Sequence, residues 1–212
     1  MPADTLNALE PRKTPVQARS AITVEAISEA TIQVLLTHGM DRFTTTRVAE
    51  RAGVSVGTLY QYYPNKESLL FAVLEAAMDR VSAAVETACE EASHKPLPDM
   101  IRKVVEAFVD AKMDRPDISA ALYQVMPNAG GPTLIKRAVQ RQRKAIEAMF
   151  KTATDTASPP DRFAIDLMCA AMAGAMRSML EAGASPAVVR KTREHLVLLC
   201  QSYMAAVAAG RP

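Results

Sequence analysis

Between positions 60 and 66 the chain crowds three tyrosines, a glutamine and a lysine: Tyr60, Gln61, Tyr62, Tyr63 and Lys66. One short helix cannot bury so many polar-tipped side chains. The Gln61 amide matches the donor and acceptor pattern of a base edge, and tyrosine hydroxyls donate to phosphate oxygens. Lys66 follows Pro64-Asn65 at the start of another helix, where its charge and the free N–H groups of the helix terminus both favour a phosphate. This is chemistry for holding a nucleic acid, not for making or breaking bonds. The rest of the chain offers no phosphate loop, no nucleophile–base pair and no metal spacing. His38, His94 and His195 stand alone. No catalytic residue, cofactor or metal is therefore expected.

Such a contact helix needs a support, and residues 48–63 supply one. Two helices crossing steeply over a tight turn require a small residue at their closest approach, which Ala49 provides. The turn requires positive φ, which Gly53 adopts without steric cost. Val48, Ala52, Val54, Leu59 and Tyr62 fall where apolar contacts must pin the pair to an earlier helix. Ser55 offers its hydroxyl to the free N–H groups of the following helix, whose N-terminal end is then free to enter a major groove. A helical hairpin inside a larger core is the plainer reading of the Ala…Gly-Val pattern alone. The crowded tyrosines, Lys66 and the basic segment before the first helix tip the balance towards a helix-turn-helix.

The segment TRVAERAGVSVGTLYQYYPNKESLL at 46–70 closely resembles the DNA-binding signature of the TetR (tetracycline-repressor) family, as do QARS at 17–20 and GMDRF at 39–43. The resemblance covers about a quarter of the chain, residues 17–75. It implies phosphate contacts from Thr45 and Thr46 at the start of the second helix. It implies a groove-facing set of Val56, Gly57, Thr58 and Gln61 beside the capping Ser55. Tyr60 and Tyr62 would touch backbone or base methyls, and Lys66 would clamp phosphate. Arg47 is either a further phosphate contact or a solvated charge. Arg12, Lys13 and Arg19 either follow the DNA or form a solvated arm.

The whole chain reads as helical. It has 212 residues, 49% hydrophobic, with 12 Met, no Trp and 5% aromatics. This composition favours strong helix formers and a sizeable core. The net charge of +2 confines any nucleic-acid surface to a local patch. No apolar window is long enough and free enough of charge for a membrane span, and the N-terminus lacks a signal-peptide core. Three cysteines, Cys89, Cys169 and Cys200, are odd in number and far apart in sequence, which suits a reducing cytoplasm. Helical periodicity and breakers predict about nine helices in an all-α fold. A basic arm spans 1–19, a three-helix helix-turn-helix domain 20–64, a connecting helix 65–91, and a C-terminal bundle 92–212, which the resemblance implies is the ligand-binding and dimerisation domain. Within the bundle, Asp99 is expected to open a helix, and Ser158-Pro-Pro to cap the next-to-last one.

In that bundle, Ala170, Gly174 and Ser178 recur every fourth residue on one helix face, and Leu196, Leu199 and Tyr203 lie on an apolar stripe of the last helix. The resemblance implies that these two helices form a four-helix interface between two subunits; an internal core stripe is the alternative. Phe108, Met113, Tyr123, Met126, Phe150, Met168, Met172 and Met176 are candidates to line an apolar pocket, since methionine adapts to varied ligands; it also simply fills cores. Arg137, Arg141 and Lys144 share a helix face, either for an anionic ligand or as solvated charge.

One helix reads too few base pairs to address a genome, so two copies about a two-fold axis are expected. They would bind a palindromic double-stranded operator whose half-sites lie about 34–36 Å apart or a multiple of that. Together with this, the family resemblance implies a cytoplasmic homodimeric repressor released by a small apolar or amphipathic effector. Control by a partner protein or by redox state is the alternative.

Overall fold

A computed structural model describes residues 18–127, 130–156 and 158–210. Among the described residues there are nine helices and no strand. They are α1 (Ala18–His38), α2 (Thr45–Ala52), α3 (Val56–Tyr62), α4 (Lys66–Ala92), α5 (Leu97–Met113), α6 (Pro116–Val125), α7 (Gly131–Phe150), α8 (Arg162–Glu181) and α9 (Pro186–Ala208). Residues 1–17, including Arg12 and Lys13, lie outside the described residues; Arg19 falls in the first turn of α1.

The chain divides into two compact units. One comprises the chain up to Met78 together with Asp117–Ile135, the other Asp79–Pro116 and the chain from Lys136 onward. In the first unit, Ile27, Val34 and Leu35 of α1 meet Phe43, Val48 and Ala49, Leu59 of α3, and Leu69, Leu70 and Leu74 of α4. Ile118, Leu122, Val125 and Leu134 complete this core. Residues 117–135 thus pack with the N-terminal unit rather than with the C-terminal bundle. The physical reason is that α6 buries one apolar stripe, at i, i+4 and i+7, and that stripe finds its partners here. The second unit buries Val81, Val85 and Cys89 of α4, most of the apolar face of α5, and inward residues of α7, α8 and α9.

Two helix starts depart from the sequence expectation, for one reason: the N–H groups of a first turn go to the best acceptor available. Helix α8 begins at Arg162, because the Asp161 carboxylate accepts the Ala164 N–H at 2.8 Å; Pro159 and Pro160 lie ahead of the helix. Helix α5 begins at Leu97, two residues early. Pro96 stands at its cap position without a side-chain acceptor, and Asp155 supplies one from 58 residues away, accepting the Leu97 N–H at 2.7 Å. The same two segments are laced further. The Thr152 hydroxyl accepts the His94 N–H at 2.8 Å, and the Lys95 carbonyl accepts the Thr154 N–H at 3.2 Å. His94 is held at φ 63°, a left-handed conformation that non-glycine residues seldom adopt.

Helix α8 is long and apolar enough, by length and composition alone, to cross a membrane. Its apolarity has a use within the unit, since Ala164, Ile165, Met168, Cys169, Met172, Met176, Met179 and Leu180 are all buried there.

Candidate nucleic-acid interface

The first three helices hold their exposed polar groups through local geometry that the sequence encodes closely. Thr44 has extended backbone and its hydroxyl accepts the Arg47 N–H at 3.3 Å, so Thr44 caps α2 and leaves Thr45 and Thr46 as its first two residues. Gly53 closes α2 at φ 68°, and its N–H returns to the Ala49 and Glu50 carbonyls. Ser55 caps α3: its hydroxyl accepts the Thr58 N–H at 2.9 Å and lies 2.8 Å from the Thr58 hydroxyl. Leu59, fully buried, anchors α3 from beneath; burying such a side chain stabilises by about 1.5–3 kcal/mol.

What remains outward is the predicted contact set. Thr46, Arg47, Ser55, Gly57, Tyr60 and Gln61 are exposed, while Thr45, Val56, Thr58, Tyr62 and Lys66 are partly buried. Tyr63 is buried and belongs to the core, so the crowding of tyrosines is resolved by dividing them between surface and interior. Val56 and Tyr62 also pack against that core, which leaves each of them one face for contact. The Tyr60 hydroxyl lies 3.1 Å from that of Thr45, joining α3 to α2. Lys66 Nζ sits 5.5 Å from the centroid of the Phe43 ring, close enough for a cation–π attraction that directs the ammonium. Arg47 donates to the Arg42 carbonyl. Arg51 Nε donates to Gln33 Oε1 at 2.6 Å, and Gln33 Nε2 to Glu29 Oε1 at 3.1 Å, so α2 is braced on α1 by a link the sequence did not reveal.

The C-terminal candidates separate. Phe108, Phe150, Met168, Met172 and Met176 are buried in the second unit's core and Met113 packs against it, whereas Tyr123 and Met126 belong to the first unit. Of the interface candidates, Ala170, Gly174, Ser178 and Leu199 are exposed and Tyr203 is half-buried. Leu196 is buried in its own chain's core, only 5% exposed. Around the exposed members lie large apolar side chains that the sequence reading passed over: Phe163 at 72% exposure, Leu167, Val188 and Leu198. Two apolar neighbours in a row, Leu198-Leu199, both outward between the buried Val197 and Cys200, were the available signal.

Among the described residues no group of three or more His, Cys, Asp or Glu could hold a metal ion. The three thiols, remote in sequence, gather in one core, and burial raises each: Cys89 and Cys169 to about 12, Cys200 to about 11. Arg141 is exposed but ion-paired. Its fork spans Glu86 at 2.6 Å through both Nε and Nη2, and its Nη1 reaches Asp79 at 3.0 Å. Hydrogen bonds from Arg141 hold the Glu86 carboxyl below the ordinary carboxylate range.

Residues 27–73 match the family described as "Bacterial regulatory proteins, tetR family", and residues 96–204 match "Tetracyclin repressor-like, C-terminal domain". The chain belongs to the TetR family. Members of this family are DNA-binding transcription regulators. A TetR-family regulator from Mesorhizobium loti superposes with a TM-score of 0.71 at 18% identity, covering 90% of this chain and 98% of that one. LfrR from Mycobacterium smegmatis, solved in complex with proflavine, gives a TM-score of 0.60 at 23% identity, covering 88% and 98%. At these identities the likeness shows the shared fold. The nucleoid occlusion factor SlmA of Mannheimia succiniciproducens is 39% identical over 79 residues, 34% of this chain and 36% of that protein. The repressor KstR of Rhodococcus jostii is 27% identical over 140 residues, 66% of this chain and 63% of that protein. The chain thus spans between about a third and two thirds of these two relatives.

Proposed function

We propose that this TetR-family chain is a homodimeric repressor that binds a palindromic operator and is released from it by a small-molecule effector. The observation that carries the DNA part is the exposed row Thr46, Arg47, Tyr60 and Gln61, held on two capped helices over the buried Leu59. Gln61 reads a base edge; Tyr62 and Lys66 hold the phosphate backbone together with Thr45 and Thr46; Gly57, having no side chain, lets the helix approach closely. Dimerisation uses the outer face of α8 and α9, where Ala170, Gly174 and Ser178 permit close helix approach and Leu199, Phe163 and Leu198 bring apolar area. The protein works in the cytoplasm, on the nucleoid. Effector control is supported by the family and by the proflavine complex of LfrR.

The test is a binding series on immobilised palindromic DNA selected from a random pool. Tyr62→Ala and Lys66→Ala are expected to weaken all sequences alike, and Lys66→Ala to reduce the salt slope by about 1. Gln61→Ala relaxes preference at particular base pairs. Full affinity in all three variants would remove this face from the DNA.

A further inference from the structure

Within the second unit, α4 and α7 meet along a seam that is unusually polar. Asp79, Ser82 and Glu86 of α4 face Arg141 and Gln142 of α7; the Gln142 amide donates to the buried Ser82 hydroxyl at 3.1 Å. Beyond the Glu86–Arg141 pair the seam opens into a groove of about 530 Å³, in the size range of small-molecule sites. Glu86 and Glu90, one helical turn apart, form the α4 wall; Arg141 and Lys144 form the α7 wall; Cys89 and Met149 lie at its buried floor. The side chains of Glu90 and Lys144 have no ion-pair or hydrogen-bond partner among the described residues.

We propose that this groove, rather than the methionine-lined core, is the effector site, and that it takes an amphipathic organic cation whose charge lies between Glu86 and Glu90. The proposal rests on the effector reading given above. The choice of charge follows from what each exchange leaves behind. A cation that takes Glu86 from Arg141 leaves the guanidinium with its second carboxylate, Asp79, at 3.0 Å. An anion that takes Arg141 from Glu86 leaves that carboxylate with no other partner among the described residues. The cation also gains Glu90, whose carboxylate has no partner among the described residues. Lys144 opposes it, but Lys144 is exposed on a long stem and swings into water. The floor is thioether and buried, un-ionised thiol, soft surfaces that suit polarisable rings. Seating the cation loosens the tie between α7 and Glu86, so the ligand distinguishes two states of α4, as an effector must.

The experiment is calorimetric titration of the full-length protein with two ions of the same size and opposite charge, tetraphenylphosphonium and tetraphenylborate. The cation is expected to bind at least about tenfold more tightly than the anion. Glu90→Gln, which touches no ion pair of the fold, is expected to weaken the cation by about tenfold, and Lys144→Ala to tighten it. Equal or tighter binding of tetraphenylborate, or cation affinity indifferent to Glu90→Gln, overturns the proposal. Operator affinity measured alongside separates the two readings. Cation binding that depends on Glu90 yet leaves operator affinity unchanged refutes effector control through this groove and keeps the site. Release by a compound whose action is indifferent to Glu90→Gln refutes the site and keeps effector control.

Discussion

The hydroxyls of Tyr60 and Thr45 lie 3.1 Å apart and join α3 to the first turn of α2. One hydroxyl donates and the other accepts, so the pair presents a fixed set of remaining lone pairs and a single free direction to an incoming phosphate. Tyr60→Phe removes this link while keeping the ring. Because the hydrogen bond is exposed, stability should fall by no more than about 0.5 kcal/mol. Operator affinity should drop about three- to tenfold. Fluorescence anisotropy beside thermal unfolding separates the two; an unchanged affinity means that the pair only braces the helices.

Two glycines a turn apart should respond in opposite ways to alanine. Gly53 has open space around a would-be Cβ but sits at φ 68°, so Gly53→Ala costs about 1–2 kcal/mol through backbone strain alone. Gly57 has helical geometry, and a Cβ there would meet only the Ser55 hydroxyl at 3.7 Å. Gly57→Ala should therefore raise stability by about 0.5–1 kcal/mol. It should also weaken operator binding, since the added methyl stands between backbone and DNA. Chemical denaturation and DNA titration of the same two variants decide this; tight DNA binding by the more stable Gly57→Ala protein would contradict the close approach.

Asp155 caps a helix that begins 58 residues before it. Asp155→Ala should lower stability by about 1 kcal/mol, seen as a lower Tm, and leave operator affinity intact. Asp155→Asn retains the acceptor oxygen and should recover most of the loss. If Asp155→Ala unfolds at the wild-type temperature, the cap contributes nothing and Leu97 N–H is satisfied by water.

The cysteines predict an alkaline limit. Their folded values lie near 11–12, above the ordinary value of 9.0, so above about pH 9 the unfolded chain loses protons that the folded chain keeps. Unfolding free energy should thus fall as pH rises from about 9 and level off near 12. At neutral pH the thiols should react slowly with iodoacetamide in the native protein and fast in denaturant. A flat stability profile between pH 9 and 10.5 in wild type and in a triple Cys→Ala variant alike would count against buried thiols.

The helix-turn-helix segment was legible because its determinants are local. Ser55 caps a helix that starts one residue later, and Gly53 turns the chain where it stands. The start of α5 was not legible, because its acceptor, Asp155, comes from a distant loop. Nor was the placement of α6, whose stripe of Ile118, Leu122 and Val125 looks the same whichever core receives it. Arg141 read first as a solvated charge and only second as ligand-binding, and its ion pairs were invisible, since its carboxylates lie 55 and 62 residues earlier in the chain. On the last helix, spacing alone did not separate the inward Leu196 from the outward Leu199, and the exposed Phe163 carried no pattern of its own. Periodicity identifies an apolar face but not what covers it.

The buried Ser82–Gln142 hydrogen bond has a consequence for motion along the α4–α7 seam. Apolar helix faces slide over one another through many nearly equal positions. On this seam, beneath the exposed Arg141 ion pairs, a buried amide ends that freedom, because only one setting gives it a partner. Moved one turn along, Gln142 would oppose Val85, and the stranded amide would cost about 1–3 kcal/mol. The pair works as a detent: α4 clicks out of its setting against α7 or stays, and it has no reason to creep.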